Sequence, residues 1–158
     1  MNKIALIVVA LVMSVAANAQ FEKGKGYLGA SLSGFDIGSQ AKQFHIGLDA
    51  KVGYLFADNL MGLVEVGYKH VEDTPDNYTL GASGRYYIVQ NGLYLGAGLK
   101  YKHAEDYNDL LPGAHIGYAF FVSRTVTIEP ELYYNQSLKN HGDYSGFGFR
   151  IGFGIYFE

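Results

Sequence analysis

The chain reads as a membrane-spanning, eight-stranded antiparallel up-and-down β-barrel preceded by a cleaved signal peptide. Three observations predict this. Large apolar residues alternate with small or polar ones in about eight successive runs, the signature of strands with two unlike faces. The first 19 residues have the make-up of an export signal. After that stretch no apolar run approaches the roughly 20 residues that a spanning helix needs, so any crossing is made by strands.

At the N-terminus, Met1-Asn2-Lys3 supplies a positive start, residues 4–12 are apolar, and Ala17-Asn18-Ala19 fits small-x-small cleavage. Cleavage after Ala19 divides the chain into a signal peptide, 1–19, and a barrel domain, 20–158. The absence of cysteine excludes disulfides and thiolate metal sites. A formal charge of −3 is no footprint for nucleic acid. The 14 tyrosines suit a protein with rings at two membrane–water boundaries.

The first strand is expected near residues 26–35. The second sets Phe44, Ile46, Leu48, Ala50, Val52, Tyr54 and Phe56 against His45, Gly47, Asp49, Lys51 and Gly53. The third sets Leu60, Val64, Val66 and Tyr68 against Glu65, Gly67 and Lys69. The fourth sets Tyr78, Leu80, Ala82, Tyr86 and Ile88 against Thr79, Gly81, Ser83, Arg85 and Tyr87. Asn91-Gly92 is a hairpin turn, since both residues tolerate positive φ. The fifth sets Leu93, Leu95, Ala97, Leu99 and Tyr101 against Tyr94, Gly96, Gly98, Lys100 and Lys102. The sixth sets Ala114, Ile116, Tyr118 and Phe120 against His115, Gly117 and Ala119. The seventh sets Val126, Ile128, Pro130, Leu132 and Tyr134 against Thr127, Glu129, Glu131 and Tyr133. Pro130 cannot donate to a ladder, which predicts a bulge or local break there. The eighth is the clearest: Phe147, Phe149, Ile151, Phe153, Ile155 and Phe157 alternate with glycines, Arg150 and Tyr156.

Connections near 57–59, 89–92 and 123–125 are tight, and those near 36–42, 71–77, 104–111 and 138–143 are longer and more polar. Membrane barrels alternate in this way between periplasmic turns and outer loops. A soluble lipocalin-like barrel would put the apolar face inside. Volume decides against it: eight strands enclose room for few side chains, and the apolar face carries too many large ones.

The inward face then collects Asp49, Lys51, Glu65, Arg85, Lys100, Glu129, Glu131 and Arg150, with Lys69 and Lys102. Buried charges must pair or be hydrated. Hairpin geometry places Lys51 opposite Glu65 and Glu131 opposite Arg150, with Arg85 diagonal to Glu65. Such a network is either a salt-bridged plug, the favoured reading for so narrow a bore, or a charged gate.

Two segments repeat, Tyr68-Lys69-His70-Val71-Glu72-Asp73 and Tyr101-Lys102-His103-Ala104-Glu105-Asp106. With Asp76 and Asp109 they form a candidate loop site for a hard cation (Glu72, Asp73, Asp76, Glu105, Asp106, Asp109). The alternative is that these carboxylates merely solvate the loops. His70, His103 and His141 raise the question of a lipid hydrolase, but no serine closely follows Glu72 or Glu105, and Tyr-Lys-His fits a headgroup contact. Inward His45 and His115 are expected to be lumen hydrogen-bonders.

On the exported N-terminus, the alternating strands, Glu129-Pro130-Glu131-Leu132-Tyr133 and the ending Phe153-Gly154-Ile155-Tyr156-Phe157, the chain resembles the small bacterial outer-membrane β-barrel family, the group of the OmpA transmembrane domain and OmpX-like proteins. The family usually ends on an aromatic residue, where this chain has Glu158 after Phe157. The resemblance implies a monomer in the outer membrane of a Gram-negative-type bacterium, inserted by the barrel assembly machinery among membrane lipids and lipopolysaccharide. It implies no cofactor, no catalytic or metal residues, no nucleic-acid partner and no enzymatic activity. The expected role is structural or interactive: membrane integrity, adhesion or ligand contact through the outer loops. The alternatives are a narrow passive, porin-like channel and a lipid A-modifying enzyme.

Overall fold

The computed structural model describes residues 21–38, 43–70, 76–88, 92–139 and 146–158. The expected signal peptide, Glu72, Asp73, His141 and the side chain of His45 lie outside the described residues. The strands are β1 (Gly26–Gly38), β2 (Gln43–Ala57), β3 (Leu60–His70), β4 (Asn77–Tyr87), β5 (Leu93–Ala104), β6 (Tyr107–Tyr118), β7 (Phe120–Phe121), β8 (Val126–Asn135) and β9 (Gly146–Phe157). Each pairs antiparallel with its neighbours, β1 pairs with β9, and a β6–β8 ladder completes the ring. Two-residue β7 continues β6, so the barrel has eight staves.

Alternation follows the sequence pattern because side chains on a strand have period two. In β9, Gly148, Arg150, Gly152, Gly154 and Tyr156 are buried, while the residues between them are exposed. Phe153 is 50% and Phe147 65% exposed, although both are wholly apolar. Surface of that kind running around the whole barrel is stable only against lipid. Short turns and both ends of the described chain share one end of the barrel, since Gly26 pairs with Phe157 there. An even stave count makes that end periplasmic.

The break expected at Pro130 takes a specific form. The β8–β9 ladder passes through Pro130↔Ile151 without a shift. On the other side pairing stops at Gly117↔Glu131 and resumes at Phe120↔Ile128 in the same register. The ladder lapses opposite the proline and no bulge forms, so Glu129 keeps its inward parity and is 2% exposed.

One expectation fails. The connection near 104–111 is no long loop: β5 and β6 run on to Ala104↔Tyr107 about a turn at Glu105-Asp106, with Glu105 at φ 35. Polar residues there have the composition of a loop, yet they extend a hairpin. Beyond β8 the chain folds back on β6, Gln136 N–H donating to Pro112 O at 2.8 Å.

Candidate functional site

The lumen holds two layers of different chemistry. The periplasmic layer is aromatic. Tyr27, Tyr87, Tyr94 and Tyr156 point inward from four staves and are buried, with Leu55 and Met61 beside them. Residues 21–25 fold across the barrel mouth and add Phe21, which is fully buried. Its ring stacks on Tyr87 at 3.8 Å and meets Tyr156 edge-on at 5.6 Å. Backbone bonds hold the segment: Asn59 N–H to Phe21 O at 2.8 Å and Gly24 N–H to Leu55 O at 2.7 Å. Lys23 N–H also donates to Asp58 Oδ1 at 2.9 Å. Gly154 makes room for this layer, since a Cβ there would lie 2.5 Å from the Tyr27 ring and 2.7 Å from Thr127 Oγ1.

The second layer is ionic. Arg85 Nη1 lies 2.9 Å from Glu129 and Nη2 3.3 Å from Glu131. Arg150 forms a fork to Glu131 through Nε and Nη2, and its Nη1 reaches Asp49 at 3.8 Å and Glu65 at 3.9 Å. Lys51 lies 3.8 Å from Glu65 and 3.9 Å from Glu131, and Lys100 lies 2.5 Å from Glu65. Four cations thus face four carboxylates, with Glu131 touched by three of them. Hydroxyls join the layers: Tyr94 donates to Glu131 at 2.9 Å, Tyr27 to Glu129 at 2.9 Å and Tyr156 to Glu129 at 3.1 Å. The Arg85 guanidinium also lies 3.9 Å over the Tyr94 ring, where its Nε has no hydrogen-bond acceptor among the described residues.

The register sets Lys51 opposite Glu65 and Glu131 opposite Arg150. The Arg85–Glu65 diagonal is not formed. Arg85 pairs in register with Met61, two inward positions along β3 from Glu65 toward the periplasm, and crosses the lumen to β8 instead. Local hairpin folding cannot show a partner three staves away. Phe21, Leu55 and Met61 were also missed, Phe21 because it lies outside any alternating run. The signal available was parity, which already put Tyr87 and Tyr94 inside.

Among the described candidate cation residues, Asp76, Glu105, Asp106 and Asp109, no cluster forms. Asp109 is on β6, 4% exposed, and accepts from Ser137 Oγ, Leu110 N–H at 2.8 Å and Lys139 N–H at 3.2 Å. It fastens the fold-back after β8. Glu105 and Asp106 are exposed in the turn, and Asp76 is hydrogen-bonded to His70 at 2.7 Å. Among the described residues no three His, Cys, Asp or Glu side chains are grouped to hold a metal. Inward His115 is half-buried beside Tyr94, and its Nε2 has no hydrogen-bond partner among the described residues.

Apolar residues outside, paired charges inside and a closed ring define an integral β-barrel membrane protein. The chain belongs to the outer membrane protein beta-barrel domain family, whose model matches residues 5–158, and its place is the bacterial outer membrane. No curated protein matches it. Among solved structures it is similar to the N-terminal β-barrel domain of Pseudomonas aeruginosa OprF, at 14% identity and TM-score 0.66, over 85% of this chain and 98% of that one. It is similar to Neisserial surface protein A at 17% identity and TM-score 0.64, over 85% and 98%. It is similar to OprG of Pseudomonas aeruginosa at 16% identity and TM-score 0.62, over 89% and 100%. At these identities the likeness is one of fold.

Proposed function

We propose that the protein is a non-enzymatic, non-conducting barrel that supports the outer-membrane barrier and makes surface contacts through its outer end. The observation that carries this reading is the double closure of the lumen. An ion entering from outside meets Arg150, Glu131 and Arg85 already paired across the bore, and behind them a ring layer capped by Phe21. Opening either layer strips partners from buried charges or exposes rings, at a cost of several kcal/mol. His70 and His103 are each bonded to a loop-side oxygen, on Asp76 and Asn108, an arrangement that suits headgroup contact. We take the barrel to act as a monomer, placed by the barrel assembly machinery, with membrane lipids and lipopolysaccharide as its surroundings.

The test is a barrier assay. Cells lacking the protein are expected to admit an apolar fluorescent dye faster, with the rate restored by the intact chain. Unaltered dye entry in cells lacking it would overturn the barrier role.

A further inference from the structure

The repeated Tyr-Lys-His segments build the same arrangement twice on the lipid-facing side, at the outer end of β3 to β6. On β3, Nδ1 of His70 lies 2.7 Å from Asp76 Oδ1, and the Tyr68 hydroxyl donates to the same carboxylate. On β5, Nδ1 of His103 lies 2.6 Å from Asn108 Oδ1, and the Tyr101 hydroxyl donates to that oxygen at 2.9 Å. In both, a tyrosine and the histidine two residues on share one side chain supplied across the hairpin. Tyr78 of β4 stands between them, paired with Tyr68 on one side and His103 on the other, its ring 5.5 Å from that of Tyr68. The two imidazoles belong to strands two spacings apart, about 10 Å. All seven side chains are exposed.

The chemistry of this patch is that of acceptors. The hydrogen bonds from His70 and Tyr68 hold the Asp76 carboxyl below its ordinary range, which keeps it charged. Three tyrosine rings offer electron-rich faces. Lys69 and Lys102, between the tyrosines and histidines, have the opposite parity and are half-buried on the lumen side. Just below, on the same face, Val66, Leu80 and Leu99 are more than half exposed and form a bed for acyl chains.

We propose that this patch binds a membrane lipid whose headgroup ends in a primary ammonium. Its N–H donors and its charge match the Asp76 carboxylate, and the charge matches the tyrosine faces beside it. A trimethylated ammonium keeps the charge and lacks the donors, and a glycerol headgroup lacks the cation. Asp76 makes the β3 arrangement the stronger of the two, because Asn108 supplies no charge to the other.

The proposal is tested by electron spin resonance on the folded protein in phosphatidylcholine vesicles, with spin-labelled phosphatidylethanolamine, phosphatidylcholine and phosphatidylglycerol as probes. The ethanolamine lipid is expected to associate about threefold more strongly than the other two, the scale of one net hydrogen bond to the Asp76 carboxylate. Asp76→Asn should bring it down to the choline level, and Asn108→Asp should raise it above wild type. A heat-dependent gel shift checks that each variant is folded. Equal association of all three lipids, or a preference for the glycerol lipid, overturns the proposal. So does an ethanolamine preference that neither substitution moves. The inference needs this face to meet lipid and does not need the lumen to be closed, so conductance through the barrel would leave it standing.

Discussion

The aromatic layer and the ionic layer close the same bore by opposite means. In the first, Phe21, Tyr27, Tyr87, Tyr94 and Tyr156 fill volume, and the hydroxyls point at one another, at Glu129 or, from Tyr94, at Glu131. In the second, little volume is filled by apolar atoms, and closure rests on each charge keeping its partner. The first should degrade by degrees when a ring is trimmed, while the second should fail sharply when one partner is removed, since a buried charge is then left alone. The point of contact is the pair Glu129 and Glu131, on adjacent inward positions of β8.

The sharpest way to break this contrast is Glu131→Ala. It takes one carboxylate partner from Arg85, Arg150 and Lys51 at once, and the urea unfolding free energy should fall by about 3–5 kcal/mol. A loss no larger than that of a trimmed ring would remove the distinction between the layers. Phe21→Ala comes next, at about 2–3 kcal/mol for the buried ring and its stacking. Its effect should be local, with faster hydrogen exchange at the Asn59 and Leu55 amides that hold residues 21–25 and little change in the outer half. Gly154→Ala should cost about 1–2 kcal/mol by crowding Tyr27 and Thr127, and the intrinsic tyrosine fluorescence should report the shifted rings.

Asp76→Asn is expected to change least, leaving the unfolding midpoint at pH 7 where it is, because exposed pairs contribute little. Its trace should be in acid. The folded carboxyl is held below its unfolded value, so whatever it contributes is present above the unfolded value and lost as pH falls through the folded one. The variant should lack that part of the acid-side decline in a titration followed by circular dichroism.

Sequence parity carried most of the barrel. Period-two alternation placed all eight charges of the ionic layer on the inner face, and hairpin folding found the Lys51–Glu65 and Glu131–Arg150 registers. What local alternation does not carry is the stagger of a closed barrel, which decides who meets whom across the bore. That is why Arg85 was assigned to Glu65 when its partners are on β8. Nor does alternation see a segment that is not a strand, so Phe21 went unnoticed. The Tyr-Lys-His duplication was visible, but the oxygen completing each copy comes from Asp76 and Asn108 beyond a turn. Composition likewise made a loop of 104–111, where the polar residues line the outer rim of a continuing hairpin.

The central claim is that both layers together shut the lumen. The most direct test is current through planar lipid bilayers holding the purified, folded monomer. The closed lumen predicts a flat baseline at 100 mV in 1 M KCl across many insertions, about the conditions at which an open narrow pore would pass resolvable steps. Reproducible ohmic steps from the unmodified protein would contradict the claim and make the barrel a channel.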